Sequence, residues 1–186
     1  ANFRAQLGEL GLGQLVVPEK LGGAASQASV VTGALLAEDL ANGDLGLAIA
    51  ALAPIGVANA LVRWGSAEQQ SRFLPAFAEA SPPPAAIAVA EPRPLFDPNE
   101  LRTRATIDGD GFLIRGEKAL VPLAESAELF LVGASLVGKG PRMFVVERGT
   151  QGVLVKADPA LGARAAGLSR VVLDDVRLPS HAILGD

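Results

Sequence analysis

Apolar residues recur every three or four positions through the first part of this chain, and every second position in short runs through the rest. Leu7, Leu10, Leu12 and Leu15 lead into Val16-Val17-Pro18-Glu19-Lys20-Leu21-Gly22-Gly23, where the proline and the paired glycines predict a loop. Val30, Val31, Ala34, Leu35, Ala37 and Ala41 keep helical spacing with Glu38 and Asp39 between them, which predicts an amphipathic helix. Asp44 is placed to cap a further helix, and Pro54 is expected to kink or divide it into a buried pair of segments, because proline lacks a donor and crowds the preceding turn. Ser66-Ala67-Glu68-Gln69 has the form of a capping box and predicts a helix to about Ala80, ended by Pro82, Pro83 and Pro84.

Beyond the prolines the period changes. AAIAVA, TRATID, FLIRG, ELFLVGA, RMFVVE, GVLVKA and SRVVLDDV are short, rich in β-formers and separated by turn residues such as Asp108-Gly109-Asp110-Gly111. The pattern predicts an α+β chain, with a helical domain over residues 1–81 and a β-domain over 82–186. No fixed period supports a repeat architecture.

Composition narrows the chemistry. At 49% hydrophobic residues and a net charge of −4, the chain can bury a core and carries no excess charge that calls for nucleic acid. Arg102, Arg104, Arg115 and Lys118 gather in one region; they could meet the phosphates of a nucleotide-like ligand, but a solvated strand face is the expected reading. With no cysteine and His181 as the only histidine, disulfides, thiolate or histidine metal clusters and a histidine-based triad fall away, and no metal site is expected. Leu45 to Val62 is uncharged over nearly a membrane-crossing length, but its Ala and Gly content, Pro54 and Asn59 predict buried helix rather than a membrane span. Trp64 is expected in core or interface packing, and His181 as an exposed polar residue.

Several ordered segments carry a resemblance. Pro18-Glu19-Lys20-Leu21-Gly22-Gly23, then Gly65-Ser66-Ala67-Glu68-Gln69 with Phe73-Leu74-Pro75, then Glu91-Pro92 and Asp97, Gly116-Glu117-Lys118, and finally Leu173, Asp175-Val176-Arg177-Leu178-Pro179 and Leu184-Gly185 follow one another along the chain. Together they resemble the acyl-CoA dehydrogenase family. The resemblance implies an N-terminal all-α helical domain followed by an antiparallel β-barrel-like middle domain, with the family's first helices and its C-terminal four-helix domain absent from this sequence.

It further implies the family reaction, α,β-dehydrogenation of an acyl-CoA thioester with hydride transfer to FAD, in a cytoplasmic homo- or hetero-oligomer that passes electrons to a transfer acceptor. The family's base is a glutamate from the C-terminal part, so no catalytic residue is expected in this chain. Family cofactor positions correspond to Val89, Ala90, Leu120, Val121 and Pro122, and family substrate positions to Leu95 and Phe96. The family loop Thr-Glu-Pro-x-Ala-Gly-Ser-Asp reads Ala90-Glu91-Pro92-Arg93-Pro94-Leu95-Phe96-Asp97 here, and its Trp-Ile-Thr reads Leu120-Val121-Pro122. Hydroxyls and an indole are thereby lost where flavin would be met. Three roles stay open: an active flavoprotein holding its cofactor by backbone groups and the absent domain, a flavin-poor subunit of a heteromeric dehydrogenase, or a flavin-dependent oxidase or monooxygenase built on the same fold. Glu91 is expected to fix its loop by hydrogen bonds rather than to act as acid or base.

Overall fold

The computed structural model describes residues 9–26, 29–158 and 160–185; Leu7 lies outside them. Residues 10–16 run in successive turns into a short 3-10 turn, Glu19–Leu21, where Gly22 takes φ 92°. A side chain on Gly23 would put its Cβ 1.8 Å from the Val17 carbonyl oxygen, so this close approach requires glycine.

Three helices follow: α1 (Val30–Gly43), α2 (Leu45–Trp64) and α3 (Ala67–Phe77). Ser29 caps α1 through its hydroxyl, and Asp44 caps α2 with Oδ1 accepting from Leu47 N at 2.8 Å. The predicted capping box is present, with Ser66 Oγ accepting from Gln69 N and Gln69 Oε1 accepting from Ser66 N. Gln69 does a second job. It is buried, and its Nε2 donates to the carbonyls of His181 and Ile183 at 2.8 and 2.9 Å, tying the start of α3 to the far end of the β-region.

Pro54 does not divide α2, which runs unbroken for 20 residues. The proline forfeits one backbone bond, and the burial of Ala50, Ala51, Val57, Ala58 and Leu61 on the same helix offsets that loss. By length and composition α2 could cross a membrane, yet here it packs against α1, α3 and the first strand. The apolar stripe of α1 differs from expectation: Val30, Val31 and Leu35 stand exposed, because α1 meets α2 along one side and has no second neighbour there among the described residues. Trp64 ends α2 59% exposed, beneath the Arg63 guanidinium and outside the core. His181 is exposed, as expected.

The strands are β1 (Ala85–Ala88), β2 (Arg104–Asp108), β3 (Gly111–Val121), β4 (Leu129–Leu136), β5 (Gly140–Glu147), β6 (Val153–Ala157), β7 (Ser169–Pro179) and β8 (Ile183–Leu184). They form one sheet in the order β6-β7-β3-β2-β4-β5-β8, mostly antiparallel, with β1 and β2 both pairing parallel to β4. The predicted Asp108–Gly111 hairpin joins β2 to β3, with Gly109 at φ 63°.

β4 explains how the layers join. Phe130, Val132, Ala134 and Leu136 point into the β-core with Phe144, Val146, Val171 and Val176. Leu129 and Leu131, on the opposite face, pack with Val57, Leu61, Leu74 and Phe77 of the helices. Two buried faces account for the nearly unbroken hydrophobic run of this strand.

Candidate functional site

The exit of β1 and the end of β3 form a ledge whose parts are pinned residue by residue. Lys118 Nζ donates to the Val89 carbonyl at 3.1 Å, Ala119 N donates to the Ala90 carbonyl at 2.9 Å, and Lys118 Nζ reaches Glu91 Oε1 at 3.0 Å. Glu91 in turn accepts from two consecutive amides just ahead of β2, Arg102 N at 2.8 Å and Thr103 N at 2.7 Å. One carboxylate therefore joins β1, β2 and β3.

Gly116 makes the crossing possible. It sits at φ 149°, and a Cβ there would come 2.7 Å from Thr103 Cα. The β3–β7 register shifts between Ile114 and Gly116 and again between Lys118 and Val121. The first of these bulges brings β3 against Thr103, and the second turns Leu120 outward.

The Lys118 side chain has no solvent exposure and Glu91 only 3%. Burial alone would raise the Glu91 carboxyl; the Thr103 and Arg102 amides and the Lys118 ammonium more than reverse this and hold it at about 2. Burial pushes the Lys118 ammonium down, and Glu91 offsets part of that. A carboxylate held by two amides and an ammonium is a clamp, as expected for Glu91. Lys118 departs from the expected solvated cationic face, since it is the core of the clamp. Arg102, Arg104 and Arg115 are exposed as that reading expects, with Arg115 paired to Asp175 and Arg104 donating to Ser135 Oγ at 3.1 Å.

The expected site residues fall into two groups. Val89 and Ala90 are half-buried on the β1 side of the ledge, joined to Lys118 and Ala119 by the bonds just described. Leu120 is 59% exposed at φ 55°, Val121 turns its side chain into the β-core, and Pro122 follows half-buried. Leu95 and Phe96 stand apart on the loop after Glu91. Leu95 is 96% exposed at φ 52°, a position that favours the glycine of the family pattern, and Phe96 lies under Arg93.

Sequence reasoning misplaced one participant and missed another. Lys118, expected on a solvated face, is buried because the bulge at Ile114–Gly116 breaks the alternation that would have assigned its face. Arg93 escaped because the carbonyls it binds follow from the loop's path, which has no periodic signature.

The side chains at the ledge, valine, alanine, leucine, valine and proline, supply no hydrogen-bond donor or acceptor. This donor set does not fit a flavin held by side chains. Among the described residues no cluster of His, Cys, Asp or Glu could hold a metal ion.

Comparison with known proteins gives this geometry its context. Residues 1–81 match the model of the acyl-CoA dehydrogenase N-terminal domain, and residues 86–176 that of the middle domain. A cyclohex-1-ene-1-carbonyl-CoA dehydrogenase of Syntrophus aciditrophicus is 29% identical over all of this chain and 45% of its own length. The short/branched chain specific acyl-CoA dehydrogenase of Bos taurus is 32% identical, over 94% of this chain and 41% of its own length. An acyl-CoA dehydrogenase from Bacillus anthracis, solved complexed with FAD, superposes on 98% of this chain and 32% of its own with a TM-score of 0.86 at 29% identity. A glutaryl-CoA dehydrogenase from Mycobacterium smegmatis, in complex with FADH2, covers 98% of this chain and 46% of its own with a TM-score of 0.84 at 29% identity. The chain thus spans about half the length, or less, of the relatives it matches. With both domain models matched in order and the fold reproduced by solved relatives, the chain belongs to the acyl-CoA dehydrogenase family.

Proposed function

We propose that this chain is the helical and β portion, divided at residues 81/82, of a flavin-poor subunit that works beside a flavin-bearing relative in a cytoplasmic, heteromeric acyl-CoA dehydrogenase. The reaction it serves is the family's α,β-dehydrogenation of an acyl-CoA thioester, with hydride passing to FAD on the partner subunit and electrons leaving to a transfer acceptor. One observation carries the choice between a flavoprotein and a partner. The clamp of Glu91 and Lys118 that builds the ledge is complete, while every side chain the ledge presents lacks a hydrogen-bonding group.

Each neutral hydrogen bond lost to a buried ligand edge costs about 0.5–1.5 kcal/mol, and more where the ligand group is left unpaired. Ala90, Leu120 and Pro122 lose three such opportunities relative to the family pattern. The test is acyl-CoA dehydrogenation by the full-length protein alone and after co-expression with a flavin-bearing family member. Activity only in the mixed assembly is the expected result; full activity with bound FAD in the protein alone overturns the proposal.

A further inference from the structure

The loop that leaves the ledge is filled by its own side chains. Between Glu91 and Thr103, prolines at 92, 94 and 98 carry no amide hydrogen. Arg93 N donates back to the Glu91 carbonyl at 2.7 Å, Asn99 N to Asp97 Oδ1 at 2.8 Å, and Glu100 N to the Asp97 carbonyl at 3.1 Å. The Arg102 and Thr103 amides belong to the Glu91 clamp. Of the backbone positions from 92 to 103, three lack an amide hydrogen and five donate within the loop, while the amides of Leu95, Phe96, Asp97 and Leu101 have no partner among the described residues.

Three of the loop's carbonyls are tied together by one side chain. Arg93 Nη1 donates to the Leu95 carbonyl at 3.3 Å, and Nη2 donates to the carbonyls of Asp97 at 3.3 Å and Glu100 at 2.7 Å. Its Cζ lies 5.5 Å from the centroid of the Phe96 ring, and Nε stands 3.6 Å from Glu91 Oε2. The Arg93 side chain is only 13% exposed. A planar fork with several donors suits this work, because one guanidinium spans three carbonyls that an ammonium could not reach together.

We infer that Arg93 is the keystone of a self-bonded loop, holding residues 92–100 in a closed path through the carbonyls of Leu95, Asp97 and Glu100, so that only the amides of Leu95, Phe96, Asp97 and Leu101 are left to a flavin edge or a phosphate. This deepens the flavin-poor reading and rests on it for its functional meaning, while the closure itself is a separate property. Arg93 also bonds the carbonyl of Leu95, the residue the loop holds at positive φ and 96% exposed.

Hydrogen exchange on the full-length protein tests the closure. In Arg93→Met, exchange at Asn99 and Glu100 should rise at least about tenfold while the Ala119 amide keeps its wild-type protection. Arg93→Lys should fall between the two, since it keeps charge without the fork. Wild-type protection of the loop in both variants would overturn the inference. FAD titration separates the two ideas: FAD bound by wild type and lost in Arg93→Met would make the loop a flavin support and refute its closed role. FAD bound equally by both would refute the flavin-poor reading, leaving exchange to decide the closure.

Discussion

Lys118 and Leu120 stand two residues apart on β3 and reverse the usual placement of their side chains. The lysine has no exposed surface, and the leucine is 59% exposed. Burying an ammonium is costly unless it is paired and hydrogen-bonded, and Lys118 is paired with Glu91 and donates to the Val89 carbonyl. Leu120 has the opposite problem, an apolar side chain at a left-handed φ of 55° facing outward. The scaffold that builds the ledge carries demanding polar chemistry, while the side chains of Ala90, Leu120 and Pro122 on it carry none. Framework and ligand contact are separable here.

Removing one member of the clamp should have the largest effect. Lys118→Met leaves a buried carboxylate without its ammonium, and Glu91→Gln leaves a buried ammonium without its counter-charge; each should cost about 3–5 kcal/mol of unfolding free energy in denaturant titration. The double variant should cost less than the two losses added, because neither partner is then orphaned. Additive losses would show that the pair does not act as a unit.

Acid should expose the same clamp next. Glu91 is held at about 2 against an ordinary 4.5, a folded-state value below the unfolded one. Its ionisation therefore supports folding fully above about pH 4.5, and that support fades as pH falls toward 2. The loss amounts to about 3 kcal/mol across this window. Glu91→Gln should flatten that part of the stability profile, and an unchanged slope in the variant would assign the acid sensitivity elsewhere.

Leu95→Gly should show the smallest change, and in the opposite direction. Glycine relieves the left-handed strain at φ 52° and gives up little packing, since Leu95 is 96% exposed. Offset by the added freedom of the unfolded chain, the gain should be about 0.5 kcal/mol in the denaturation midpoint. Destabilisation would mean that the leucine makes a contact the chain needs.

Local chemistry made much of the fold legible. The capping box at Ser66–Gln69, the Asp44 cap and the Asp108–Gly111 hairpin depend on neighbouring residues, so their residue types announce them. Pro54 misled because tertiary burial outweighed a local breaker, and α1 because helical periodicity shows which face is apolar without showing whether anything covers it. Ordered motifs singled out Val89, Ala90, Leu120 and Pro122, and the structure joins Val89 and Ala90 to Lys118 and Ala119 by hydrogen bonds. The partners of Lys118 and Arg93 did not. Those partners depend on a β-bulge and on loop carbonyls that sequence spacing does not specify.

The central claim is that this ledge lacks flavin-holding side chains although its backbone frame is intact, and FAD titration of the full-length protein tests it most directly. Wild type should bind no stoichiometric FAD, and Ala90→Thr/Leu120→Trp/Pro122→Thr should gain affinity by about tenfold or more at unchanged fold stability. One tightly held FAD per wild-type chain would contradict it.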